Sequence, residues 1–146
     1  MIKDVDIMRC KIVRDKTMTY DSVEDPTDAR NVLSMLGYSD AAEEYFVLVC
    51  LSCRGGIVGI HELSHGCLTQ TIVSMRSVFQ RALLNNAASI VVAHNHPSGN
   101  PEPSDEDIAV TRRLVEAGKL MEIPVVDHII LAGDNNYFSF HEEGLL

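Results

Sequence analysis

The unbroken apolar run Tyr45-Phe-Val-Leu-Val-Cys-Leu51 constrains the fold more than any other part of the chain. Successive side chains of a strand point to opposite faces of a sheet, so a strand without polar alternation must be covered on both sides. A sheet with one wet face is thereby excluded, and helices are required on each side. Gly55-Gly56 then turns the chain directly into a second strand-like segment, Ile57 to Leu63. A link that short joins antiparallel neighbours, so the sheet is expected to be mixed.

The remaining segments fit this scheme. A first strand is expected around Ile7 to Val13. A short helix follows, with Pro26 near its first turn, Ala29, Val32, Leu33 and Leu36 on one side, and a stop at Gly37. Ile72, Met75, Phe79, Ala82 and Leu83 fall at helical spacing between Ile72 and Leu84. Ser89 to Ala93 reads as a buried strand that ends in His94-Asn95-His96, and a stiff loop with Pro97, Gly99, Pro101 and Pro103 follows. Ser104-Asp-Glu-Asp107 opens a helix to Leu120 or Met121. Pro124 to Leu131 is a strand, Gly133 to Asn136 a turn, and Tyr137 to Phe140 a last short strand. The expected fold class is α/β: one layered domain whose mixed, mostly buried sheet is flanked by helices.

Length and charge narrow the function. A chain of 146 residues suits one domain, expected over residues 1–146. Its net charge of −9 is opposite to the field of a phosphate-binding surface, so no tight nucleic-acid ligand is expected. No apolar run approaches the length of a membrane span, and the first residues, with Asp4 and Asp6, do not read as a signal peptide. Cys50-Leu-Ser-Cys53 has no second pair to complete a four-cysteine site. Cys10, Cys50, Cys53 and Cys67 read as ordinary buried or half-buried thiols of a cytoplasmic protein.

The chemistry concentrates in His94-Asn95-His96-Pro-Ser-Gly-Asn-Pro-Glu-Pro-Ser104-Asp-Glu-Asp107. Histidines at i and i+2 of a strand end point to one side. A carboxylate in the first turn of the next helix can close a third corner, and two imidazoles with one carboxylate leave a tetrahedral zinc a fourth position for water. Ser104-x-x-Asp107 by itself reads equally as a capping box. The two readings are compatible. The combined spacing arises by chance about once in a thousand chains of this composition. His61, His65 and His141 have no partner spacing. Asp127-His128 lies in a strand, where an acid–imidazole pair can orient a ligand, although adjacent residues cannot both face one site.

The spacing His94-x-His96-x7-Ser104-x2-Asp107 resembles the JAMM (MPN-plus, JAB-type) zinc metallo-hydrolase motif. The longer string with Pro97, Ser98, Gly99, Pro101 and Pro103 looks like the RadC branch of that superfamily. The likeness runs from about Glu44 to the C-terminus and takes in Arg76, Asp127-His128-Ile-Ile and Tyr137-Phe-Ser-Phe; Met75 departs from the proline of many relatives. It implies a MPN/JAB-like, cytidine-deaminase-like architecture, here without the N-terminal helix-hairpin-helix region usual in RadC proteins. It also implies one Zn2+ per chain on His94, His96 and Asp107. Glu44 would be the proton shuttle, with Glu43 in reserve, and Ser104 the oxyanion donor. The implied activity is that of a metallopeptidase or isopeptidase, in which zinc-bound water attacks an amide carbonyl of a peptide or isopeptide substrate. The alternative is a DNA-repair or mobile-element-associated accessory protein without independent peptidase activity.

Overall fold

A computed structural model describes residues 26–66, 73–133 and 136–146. The strand expected at Ile7 to Val13, Cys10, Cys67 and Ile72 lie outside the described residues. In chain order the elements are α1 (Pro26–Met35), β1 (Tyr45–Leu51), β2 (Ile57–His65), α2 (Met75–Leu84), β3 (Ser89–Asn95), α3 (Asp105–Met121), β4 (Val125–Leu131) and β5 (Tyr137–Ser139).

The strands form one mixed sheet in the order β2-β1-β3-β4-β5. β1 is antiparallel to both β2 and β3, β3 and β4 run parallel, and β5 closes antiparallel on β4. The apolar run of β1 divides by alternation between two cores. Phe46, Leu48 and Cys50 pack with Val78, Phe79, Ala82 and Leu114 under α2 and α3. Val47, Val49 and Leu51 pack with Ala29, Leu33, Val91 and Ala93 under α1. Both faces are therefore covered, which is why β1 carries no polar alternation.

The element boundaries differ from the sequence expectation in two informative places. β2 continues to His65 rather than stopping at Leu63, because its pairing with β1 reaches Tyr45. α2 begins at Met75, where the Ser74 side chain accepts the N–H of Ser77 as an N-cap. Leu83, counted on the apolar face of that helix, is 55% exposed; Val78, Phe79 and Ala82 are the residues that turn inward. Cys53 is exposed rather than half-buried, whereas Cys50 sits in the core, where burial pushes its thiol up to about 12. The pair is not poised for redox chemistry. Gly118 lets the end of α3 approach the following segment: a Cβ there would meet the carbonyl oxygen of Ile123 at 2.7 Å.

Candidate metal centre

Antiparallel pairing brings the start of β1 beside the end of β3, with Phe46 opposite His94. By strand alternation Glu44 shares the face of Phe46 and His94. The backbone N–H of His96 donates to the Leu131 carbonyl at 2.7 Å, so extended pairing continues past β3 and keeps His96 on that face too. Across the proline loop, α3 opens with Ser104 as its N-cap and Asp107 in its first turn.

Three side chains converge there. His94 Nε2 and His96 Nε2 are 3.0 Å apart; Asp107 Oδ1 is 3.2 Å from the first and Asp107 Oδ2 is 3.5 Å from the second. Ligand atoms held about 2.0–2.1 Å from a tetrahedral zinc stand about 3.3 Å from one another, so these separations fit the edge of such a tetrahedron. The chemistry of the donor set points the same way. His96 Nδ1 lies 2.8 Å from the Asn100 carbonyl, which only accepts; the neutral ring therefore carries its proton on Nδ1 and turns a lone pair inward from Nε2. A lone pair beside a carboxylate needs a proton or a cation between them. Glu44, His94 and His96 also bring ligand atoms within 4.8 Å of one another, so Glu44 flanks the same point in space.

The capping box orients the carboxylate. Asp107 Oδ2 accepts both the backbone N–H of Ser104 at 2.8 Å and its hydroxyl at 2.7 Å, and the Asp107 N–H donates back to Ser104 Oγ at 3.1 Å. Ser104 donates to Oδ2 and not to Oδ1, which stays turned to His94. Burial opposes ionisation of Asp107, but the facing rings of His94 and His96 when protonated, together with the donors of Ser104, outweigh it and hold the carboxyl far below the usual range. The bond to Asp107 raises His96 against the opposing effect of burial.

A family model described as RadC-like JAB domain matches residues 23–145. The chain belongs to this family. Similar curated relatives are UPF0758 proteins. That of Pelobacter propionicus is 46% identical over 122 residues, covering 82% of this chain and 53% of the relative. That of Syntrophomonas wolfei is 43% identical over 125 residues, covering 86% and 53%. That of Salinibacter ruber is 45% identical over 121 residues, covering 83% and 51%. The chain thus spans about half the length of the curated relatives it matches.

Two further residues of this RadC-like JAB domain support the site and were not singled out by spacing. Asn95, between the two histidines, faces the opposite side of the sheet and is 1% exposed. Its Oδ1 accepts the Tyr45 N–H at 2.7 Å, while Nδ2 donates to the carbonyls of Glu43 at 2.8 Å and Ala41 at 3.3 Å. A polar residue ending the apolar strand Ser-Ile-Val-Val-Ala was the available signal. Thr111, one helical turn after Asp107, bonds the Asp107 carbonyl at 2.6 Å and also meets His128 Nδ1 at 2.6 Å. Of the Asp127-His128 pair, only His128 turns to the site, with Nε2 2.9 Å from His94 Nδ1. Asp127 faces away and accepts from Ser139 Oγ, the His141 N–H and the His128 N–H. His61 pairs with Asn85, and the His65 ring stacks on Tyr45. Neither these rings nor the exposed His141 join the cluster. Arg76 is exposed on α2. Among the described residues, no helix is long and apolar enough to cross a membrane.

Proposed function

We propose that the chain is a zinc-dependent hydrolase of peptide or isopeptide bonds. His94 Nε2, His96 Nε2 and Asp107 Oδ1 would hold one Zn2+. The single observation that carries this reading is the convergence of those atoms at tetrahedral-edge separations, with Glu44 alongside. The chemistry zinc supplies when bound is polarisation of the substrate carbonyl and acidification of a water at the open fourth position.

The chain's own groups do the rest. Glu44 takes a proton from the attacking water as the carbon–oxygen bond forms, holds it, and delivers it to the amide nitrogen as the carbon–nitrogen bond breaks. Ser104 is the donor nearest the carboxylate corner. For its hydroxyl to serve a developing oxyanion, its proton must swing from Asp107 Oδ2 toward the substrate. The backbone N–H of Ser104 remains on Oδ2 during that swing, so the ligand stays oriented.

Elemental analysis of the purified protein, beside its His94→Ala/His96→Ala and Asp107→Ala variants, tests the metal. About one zinc per wild-type chain and none in the double variant is the expected result. Incubation of the zinc-loaded protein with a mixed peptide library and with isopeptide-linked substrates tests the reaction, with chelator and Glu44→Gln as controls. A zinc-loaded protein that cleaves neither, but holds DNA with steep salt dependence, would replace this reading with the accessory one.

A further inference from the structure

Glu44 is carried on a segment with no regular structure of its own. Residues 41–44 lie between α1 and β1 in neither helix nor strand, and Glu43 is exposed. A carboxylate that must act within hydrogen-bond reach of one point needs its backbone held by its surroundings. Here it is held from both flanks. On the β2 side the Gly66 N–H donates to the Glu44 carbonyl at 2.9 Å. On the β3 side the buried Asn95 amide bonds the Tyr45 N–H and the carbonyls of Glu43 and Ala41.

The polarity of the Asn95 bonds is fixed by the backbone alone. A backbone N–H only donates and a carbonyl only accepts, so Oδ1 must face Tyr45 and Nδ2 must face Glu43 and Ala41. A leucine would fill the same space and bond nothing; a carboxylate could not donate. Anchoring a loop in this way is an ordinary task for a buried asparagine. What sets Asn95 apart is its place in the chain, between His94 and His96, with its side chain on one face of the sheet and theirs on the other. Planar trans peptides about 3.8 Å long join it to both histidines. The amide therefore cannot shift without turning the peptides that aim the two rings.

We propose that Asn95 is a positioning residue that couples the two histidines to Glu44, so that filling the metal site fixes the proton shuttle in place. The inference deepens the proposed hydrolase and rests on its metal reading. Such coupling is reciprocal: whatever zinc adds to the anchoring of residues 41–45, that anchoring adds to zinc affinity.

The Gly66 amide reports on Glu44 from the flank that Asn95 does not touch. Its hydrogen exchange is read against the amides at the centre of β1, which follow global stability. In wild type, zinc is expected to slow Gly66 about 5-fold or more beyond its effect on those amides. In Asn95→Ala, Gly66 should exchange about 5-fold faster in metal-free protein, and zinc should give it no extra protection. Unchanged Gly66 exchange in Asn95→Ala, or equal zinc protection with and without Asn95, overturns the proposal, since Asn95 would then only anchor the loop. Hydrolysis supplies a second readout. Asn95→Ala should lower kcat about 10- to 100-fold at nearly constant KM and add nothing to Glu44→Gln. An equal fall in both backgrounds overturns the positioning role. If Asn95→Ala does not fold, the wild type decides: a Gly66 amide that zinc slows no more than the centre of β1 overturns the coupling. A wild type that binds no zinc refutes the metal reading, and the metal-free comparison of Gly66 still decides whether Asn95 holds Glu44.

Discussion

The side-chain oxygen of Asn95 accepts the backbone N–H of Tyr45 at 2.7 Å, at the point where paired residues of β1 and β3 stop. The last rung of that ladder joins Phe46 to His94. Beyond it, Asn95 substitutes its own amide for the missing strand and holds the carbonyls of Glu43 and Ala41 as well. Glu44 lies between the bonded groups of Glu43 and Tyr45, so the residue between the two histidines sets the backbone of the candidate proton shuttle.

Asn95→Ala is expected to lower stability by about 2–4 kcal/mol, since three hydrogen bonds to a buried amide are lost at roughly 1 kcal/mol each and backbone groups are left unpaired. Urea unfolding of the variant measures it. Asn95→Asp should fare no better, because a carboxylate cannot donate to the two carbonyls. A change below about 0.5 kcal/mol in either variant would mean that the 41–45 segment is held by other contacts.

Glu44→Gln should retain zinc and substrate affinity while losing about a hundred- to ten-thousandfold in hydrolysis rate. Glu43→Gln should be nearly silent: the structure leaves Glu43 exposed and uses its carbonyl, which the substitution keeps. Loss of activity in Glu43→Gln with full activity in Glu44→Gln would transfer the shuttle to Glu43.

Ser104→Ala removes an N-cap and one of the two donors on Asp107 Oδ2. The cap alone predicts a stability loss of about 0.5–2 kcal/mol. As an oxyanion donor, Ser104 further predicts a fall in turnover of roughly a hundredfold with zinc retained. Full specific activity per folded, zinc-loaded molecule would restrict Ser104 to capping.

Protons and zinc should compete at His96. In metal-free protein its bond to Asp107 raises the ring above 6.5. A group raised on folding contributes stability below its unfolded pKa, and that contribution is lost as pH rises through the folded value. Asp107, held low, contributes above its model value of 3.8 and loses that contribution as pH falls through its folded value. The two effects together favour metal-free protein between about pH 4 and 6.5, with stability declining above. Zinc takes the deprotonated ring, so its stabilisation should grow across the declining limb. Thermal unfolding in chelator and in zinc, at about pH 6 and about pH 8, measures both limbs. An equal zinc-induced shift at the two values would show that His96 is not a ligand.

Local patterns in the sequence determined the element types and the main chemical cluster. The unalternating run from Tyr45 to Leu51 required cover on both faces, and Gly55-Gly56 required a hairpin. Strand alternation put His94 and His96 on one side, and the capping signature placed Asp107 in a first helical turn. Each of these follows from geometry within a few residues, which neighbouring side chains alone impose. Contacts across the sheet are different, because they depend on which strands pair and in what register. That His128 meets His94 follows from the parallel register of Val92 with His128. That Asn95 grips the Glu43–Tyr45 backbone follows from the antiparallel pairing of β1 with β3. That Leu83 stays exposed while Val78 turns inward follows from how α2 settles on the sheet. Neither register nor docking angle is written in a single segment; each is chosen by packing the two cores together, so the groups behind the site became visible only in the tertiary structure.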